Sequence, residues 1–311
     1  MRKTNVGGQA LIEGILMMGP DGAAIAVRKS DGEIVIDNRP LPPRLKISKV
    51  PVLRGIVSFF RQMVLGMKAL MYSASFMDIE SEEQTKPSKF DKFMEKVFGD
   101  KLMEAVTYFA VIISIVFSVG LFVLLPNFVA GILSFDTRTS TGVFLCNLTE
   151  GILRLLIFIG YMYFTTKMKE MNRIWEYHGA EHKTINCYLN EEELTIDNVK
   201  KYSTKNPKCG TSYIFLIIVV SIIAFSFLGW YGIILNIVVR ILLIPLVAGV
   251  CMEILKFAGK SEGKFAKIIN VPGMAFQRLT TSEPDDSQIE VAIEAFNAAL
   301  NYKKPVEGSA A

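Results

Sequence analysis

Four apolar stretches, each close to the length a bilayer requires, constrain this chain more than any other feature. They run over roughly 103–125, 142–165, 212–228 and 231–255. A helix needs about 20 predominantly apolar residues to cross the hydrocarbon core. Hydrophobic residues make up 51% of the 311 positions, and they are concentrated in these runs rather than spread as a soluble core would spread them. Pro126-Asn127 closes the first run. Gly229-Trp230 leaves almost no loop between the last two, so these read as a tight hairpin with Trp230 and Tyr231 as an interfacial aromatic anchor.

The basic residues give the orientation. Residues 1–102 carry 16 Lys and Arg, the 127–141 loop only Arg138, the 166–211 loop 8, and the segment after the fourth run 7. By the positive-inside rule the bare loop is extracytoplasmic and the rich segments are cytosolic. The chain therefore reads as a multi-pass protein of the cytoplasmic membrane with both termini in the cytosol. No apolar run ending in a cleavage site precedes 103, so no signal peptide is expected. A net charge of +4 makes no case for nucleic acid. The partners it does imply are the lipid bilayer, including anionic lipid, with a homo-oligomer or another membrane protein left open. Cys146, Cys187, Cys209 and Cys251 form no CxxC pair, which fits a reducing compartment.

Outside the spans, residues 8–48 read as a small antiparallel meander. An apolar run over 9–18 ends in Gly19-Pro20-Asp21-Gly22, a second covers 23–28, and after Ser30-Asp31-Gly32 a third covers 33–37. Asp-Gly steps between short β-favouring runs mark hairpins, and 44–48 is placed as a fourth strand. Residues 52–76 are helical by pattern, with Arg54, Arg61 and Lys68 seven apart on one stripe of an otherwise apolar body. That suits either an interfacial helix near anionic lipid or a core helix with a solvated edge. A charged linker with a short amphipathic helix around 90–98 follows. In the tail, Pro284-Asp285-Asp286-Ser287 precedes a helical repeat of Ile289, Ala292, Ile293 and Phe296, with acidic residues where a helix start favours them.

The fold class is thus an α-helical integral membrane protein with four transmembrane helices, an N-terminal antiparallel β meander and an amphipathic helix. Its parts are a cytosolic meander over 1–50, the amphipathic helix and linker over 51–102, the membrane domain over 103–258, and a cytosolic tail over 259–311 with a helix at 285–301.

The only two histidines sit at His178-Gly179-Ala180-Glu181-His182, in the cytosolic 166–211 segment. Residues four apart share a helix face, so both imidazoles can reach one divalent ion, zinc by preference. Glu181 beside them is the candidate general base of an H-x-x-E-H arrangement. The alternative is two ordinary polar histidines on an interfacial helix. A third ligand is required, and Cys209, at the entry to the third run, and Glu253, near the cytosolic end of the fourth, are candidates. Glu13, which interrupts an apolar strand, is a weaker one, better read as paired with a basic residue. Cys187 points away from His178. Within the membrane, Glu150 and Arg154 form an i,i+4 pair, and Arg240 lies at matching depth on the fourth run with Asn147 and Asn236 nearby. They read as a packing lock between helices or, failing that, a polar path.

Taken together, Gly7-Gly8-Gln9-Ala10 with Ile12-Glu13-Gly14, Glu150-Gly151 with Arg154, the YHGAEHKT string of Tyr177 to Thr184, Pro207-Lys208-Cys209-Gly210-Thr211-Ser212, Pro272-Gly273 and LTTSEPDDSQIEVA from Leu279 to Ala292 resemble the DUF1385, YqhQ-like family of bacterial membrane proteins. The resemblance covers nearly the whole chain. It implies a membrane location and a metal role for His178 and His182. The family often has His before the Pro of the Pro-x-Cys-Gly-Thr-Ser motif, where this chain has Asn206, so a third histidine ligand is unavailable here. The functional expectation is a membrane-anchored, metal-dependent hydrolase centred at the cytosolic membrane face. Alternatives are a non-catalytic scaffold or assembly factor with a structural metal or a packed His pair, and a small transporter or channel using the intramembrane charges.

Overall fold

The computed structural model describes residues 6–41, 46–77, 102–133, 135–207, 209–229, 233–258 and 263–302. The helix expected around 90–98 and the Trp230-Tyr231 anchor lie outside these residues. The chain is mostly helical, with one four-stranded antiparallel sheet at its N-terminal end. It divides into two units: Met1–Met77, Ile159–Ser221 and Leu242–Ala311 form the first, and Asp78–Phe158 with Ile222–Ile241 the second.

In the first unit the strands β1 (Gly7–Leu11), β2 (Gly14–Met18), β3 (Gly22–Arg28) and β4 (Ile34–Pro40) pair in sequence order. The apolar run expected as one strand over 9–18 is two. It reverses at Ile12-Glu13, where Glu13 has φ +48° and Leu11 pairs directly with Gly14. Gly14 passes so close to β3 that a Cβ would lie 2.5 Å from the Ala26 carbonyl oxygen. This early reversal supplies the fourth strand. Of the 44–48 strand expected from sequence, the described part is a short 3-10 turn, Lys46–Lys49.

Both faces of the sheet are covered, which is why β3 reads GAAIAV and is buried along nearly its whole length. On one face Leu11, Leu16, Ala23, Ile25 and Val27 pack against α1 (Leu53–Ala74) through Ala69, Leu65 and Tyr72. On the other, Ile15, Met17, Ala24 and Ala26 meet α5 (Lys169–Leu189) and α10 (Asp286–Leu300) through Tyr177, Ala180, Ile289, Ala292 and Phe296. Alanine on the strands lets helices approach closely on both sides. The start of α10 is a capping box: Asp285 accepts the Gln288 N–H at 2.9 Å, and the Gln288 side chain accepts the Asp285 N–H at 2.9 Å.

The tail holds a helix that the sequence reading did not place, α9 (Lys264–Thr280). Pro272 sits inside it and obscures the pattern. Phe276 stacks on Phe215, with ring centroids 5.5 Å apart. Fully buried Gln277 accepts the Asn206 N–H at 2.9 Å, and its own amide donates to the Asn206 carbonyl at 2.7 Å and to the Ser212 hydroxyl at 2.9 Å.

Among the described residues, three helices are long and apolar enough to cross a membrane: Phe109–Ile132, Ser140–Thr165 and Ile234–Ala258. The expected fourth, Gly210–Ser226 (α7), is apolar but has only 17 residues. The first span also differs from expectation. Pro126 does not end it: α2 (Leu102–Val119) passes through a π-helical turn, Gly120–Leu124, into α3 (Leu125–Ile132). Pro126 falls in the first turn after that π turn, and the Phe122 carbonyl that its missing N–H would serve is met by a side chain.

The second unit contains α4 (Ser140–Thr165) up to Phe158 and the start of α8 (Ile233–Ala258), with a buried polar cluster. Glu150 accepts from Arg240 and, at 2.6 Å, from Arg154. Asn127 donates to Glu150 at 3.1 Å, and Arg240 donates to the Asn147 side chain at 2.7 Å. Arg154 Nε donates to the Phe122 carbonyl at 2.8 Å. An α-helix would supply that carbonyl from residue 126, and Pro126 has no N–H to give. The i,i+4 pair and the Glu150–Arg240 bridge therefore share one carboxylate.

Candidate metal centre

His178 and His182 lie on α5 with ring centroids 4.4 Å apart, as the four-residue spacing requires. Both are buried, His178 at 6% and His182 at 1% exposure. Each ring is held from behind by a backbone carbonyl. His178 Nδ1 donates to the Thr280 oxygen at 2.6 Å, and His182 Nδ1 donates to the Thr204 oxygen at 2.5 Å. A carbonyl can only accept, so each Nδ1 carries a proton, and in the neutral imidazole each Nε2 is left to accept or to bind. Metal-binding histidines are ordinarily fixed in this way, by a hydrogen bond from the nitrogen that does not bind.

Cys209 comes to the same place from another element. It immediately precedes α7, and its Sγ is 3.1 Å from His178 Nε2. Thr211 N–H donates to this sulfur at 3.3 Å, and the Thr211 hydroxyl is 3.1 Å from it. The ligand atoms of His178, His182 and Cys209 all lie within 4.8 Å of one another. Among the described residues, two buried polar atoms here have no protein partner, His182 Nε2 and Glu181 Oε2. Buried polar atoms are rarely left so, and each needs a partner such as a water or an ion. Two imidazole nitrogens and one thiol sulfur are a donor set that suits zinc.

Glu181, buried at 4% exposure, is anchored through its other oxygen, which accepts the Gly8 N–H at 2.9 Å. Burial pushes its carboxyl above the ordinary range, and His178 and the Gly8 N–H partly offset this. Glu181 and Cys209 both line a small cavity of about 70 Å³, with Gly7, Gly8, Gln62 and Gly210. Two motif glycines permit these approaches. A Cβ on Gly8 would lie 2.9 Å from Glu181 Cδ, and one on Gly179 only 2.1 Å from the Ser282 carbonyl oxygen.

The other candidates lie elsewhere. Glu253 does not join the cluster. It forms a two-point ion pair with Arg54, whose Nε lies 2.6 Å from Oε1. Glu13 is paired with Arg173 through both oxygens, one at 2.6 Å, and accepts the Tyr177 hydroxyl at 3.2 Å. Burial pushes the Tyr177 hydroxyl well above its ordinary range, with the Glu13 carboxylate adding to it. Cys187 is buried in the core behind α5, as its spacing from His178 indicated. The supporting groups, Thr204, Thr211, Gln277 and Thr280, were not singled out from sequence. Two act through backbone carbonyls, which any residue type carries, so only the Thr in Pro-x-Cys-Gly-Thr offered a signal.

The family profile described as a protein of unknown function, DUF1385, matches residues 50–302. The chain belongs to the DUF1385 family. It is 33% identical over 303 residues to the protein described as "Uncharacterized protein YqhQ" from Bacillus subtilis (strain 168), an alignment covering 96% of this chain and 92% of that protein. No solved structure matches. The DUF1385 match includes both histidines, Glu181 and Cys209, and begins after the sheet whose Gly8 anchors Glu181.

Proposed function

We propose that this DUF1385 protein is a membrane-anchored, metal-dependent hydrolase with its centre at the cytosolic membrane face. The observation that carries the reading is the buried, unpartnered Nε2 of His182, beside a second imidazole turned the same way and a cysteine sulfur. His178, His182 and Cys209 would hold the ion, and Glu181 is the general base by position. A zinc ion bound there supplies Lewis-acid activation of water. The residues themselves divide the remaining work. The Thr204 and Thr280 carbonyls hold the imidazoles in the binding tautomer, and Gly8 N–H fixes one Glu181 oxygen. Glu181 Oε2 is left to accept a proton from a water in the adjoining cavity. Burial of the cluster excludes bulk water.

The membrane part of the reading takes α7 as a fourth, short span. The Lys and Arg distribution then puts the His pair and both ends of the chain in the cytosol.

The test is elemental analysis of the purified protein beside His178→Ala/His182→Ala and Glu181→Gln. About one zinc per chain is expected in the wild type and in Glu181→Gln, with loss in the double variant. A wild type free of metal that gains no thermal stability on adding zinc overturns the reading. A Glu181→Gln protein that keeps both its metal and full hydrolytic turnover would remove Glu181 as the general base, and a metal-loaded wild type without turnover would leave only a structural metal.

A further inference from the structure

The outer face of α1 is unusual for a helix that packs on a sheet. Its inner face, with Gly55, Gly66, Ala69 and Ser73, is buried. The opposite side should then be polar if it met water. Instead Leu53, Phe60, Met63, Val64, Met67, Leu70 and Met71 are exposed, each by more than a third. At 3.6 residues per turn these seven fall within an arc of about 120°. Contiguous exposed apolar surface of this kind marks an interaction site.

Three observations identify the occupant. First, α1 is fastened to the C-terminal end of a membrane-length helix. Arg54 pairs with Glu253, and Gly55 and Gly249 cross so closely that a Cβ on Gly55 would lie 2.8 Å from the Gly249 backbone. Second, one flank of the stripe continues onto apolar helix, where Phe59 meets Tyr213 of α7 with ring centroids 6.5 Å apart. Third, the other flank carries Arg61 and exposed Lys68, in seven-residue register with the Glu253-paired Arg54. A row of cations beside an apolar arc, and not within it, is the pattern of a helix lying in a membrane interface. Its apolar side enters the acyl boundary while long cationic side chains reach the headgroups.

We infer that α1 is an in-plane membrane helix, packing on the sheet with one face and immersing the Phe60–Met63–Met67–Met71 face in the cytosolic leaflet among anionic headgroups. The inference rests on reading α8 as a span and is independent of any metal. Gln62 of the same helix lines the cavity beside Glu181 and Cys209, so that cavity lies against the membrane-facing helix.

The experiment introduces single tryptophans into the full-length protein in nanodiscs of anionic lipid. Quenching by lipids brominated on their acyl chains is read as the increment over the parent, which holds Trp175 and Trp230. Met63→Trp and Met67→Trp are the test positions, Glu294→Trp on α10 is the aqueous control, and Leu242→Trp on α8 reports the span. Emission at 63 and 67 is expected to fall about twofold in brominated lipid, as for residues seated 5–10 Å below the headgroups, with none lost at 294. No quenching at 63 and 67 overturns the inference. If 242 is quenched in that case, the span reading survives and only the interfacial helix fails. Unquenched but blue-shifted tryptophans in a protein that proves dimeric by mass would assign the face to a second chain.

Discussion

Replacing Glu150 by leucine should damage this protein more than replacing Arg240, although each removes one end of the same ion pair. In the buried cluster Glu150 accepts from Arg240, Arg154 and Asn127, whereas Arg240 donates to Glu150 and Asn147. Arg240→Leu leaves Glu150 neutralised by Arg154 at 2.6 Å. Its main loss is one charged hydrogen-bond set, about 1–3 kcal/mol. Glu150→Leu strands two guanidinium groups with side-chain exposures of only 4% and 11%. Breaking a buried pair by removing one partner costs about 3–5 kcal/mol, and here two cations lose the same partner. The double variant leaves Arg154 alone, still bonded to the Phe122 carbonyl. Its loss should fall below the sum of the singles by about 1–3 kcal/mol. SDS-titration unfolding in mixed micelles on the wild type, both singles and the double variant measures all of these. Additive losses, or an Arg240→Leu loss equal to that of Glu150→Leu, would refute the shared-carboxylate account.

Two further outcomes are expected. Burial pushes the Asp285 carboxyl up, but the Ser287 hydroxyl, the Gln288 and Ser287 N–H groups and nearby Arg173 more than offset this, so it lies below its ordinary value. A lowered folded value stabilises above the unfolded value, about 3.9, and that contribution is lost as pH falls below it. Thermal melts of wild type and Asp285→Ala should therefore differ by about 1 kcal/mol at neutral pH, and the difference should shrink as pH falls through the lowered folded value; a pH-independent difference contradicts the charged cap. For topology, the four native cysteines are all buried, so an introduced thiol reads cleanly. Thr139→Cys should react with an impermeant maleimide added outside intact cells and Asn198→Cys should not; the reverse labelling would invert the assigned orientation.

What could be read from the residues alone was whatever depends on near neighbours in the chain. The apolar runs, the Asp285 start of α10 and the coincidence of His178 and His182 on one face are all consequences of period and spacing. The same local reasoning failed where a single residue changed the backbone. Glu13 at φ +48° split one expected strand into two, the helix continues past Pro126, which was expected to stop it, and Pro272 hid α9.

The completion of the cluster is of a different kind. Cys209 and Glu253 stood as equal candidates because each was expected near the cytosolic end of an apolar run. Only packing separates them: Gln277 of α9 pins the Asn206 segment and with it the strand of chain leading to Cys209, while Arg54 of α1 engages Glu253. The sequence by itself determines which side chains can share a helix face, because a helix repeats every few residues whatever surrounds it. Which distant thiol or carboxylate meets that face is decided by long-range burial and pairing, and the tertiary structure brings Cys209 to the two histidines.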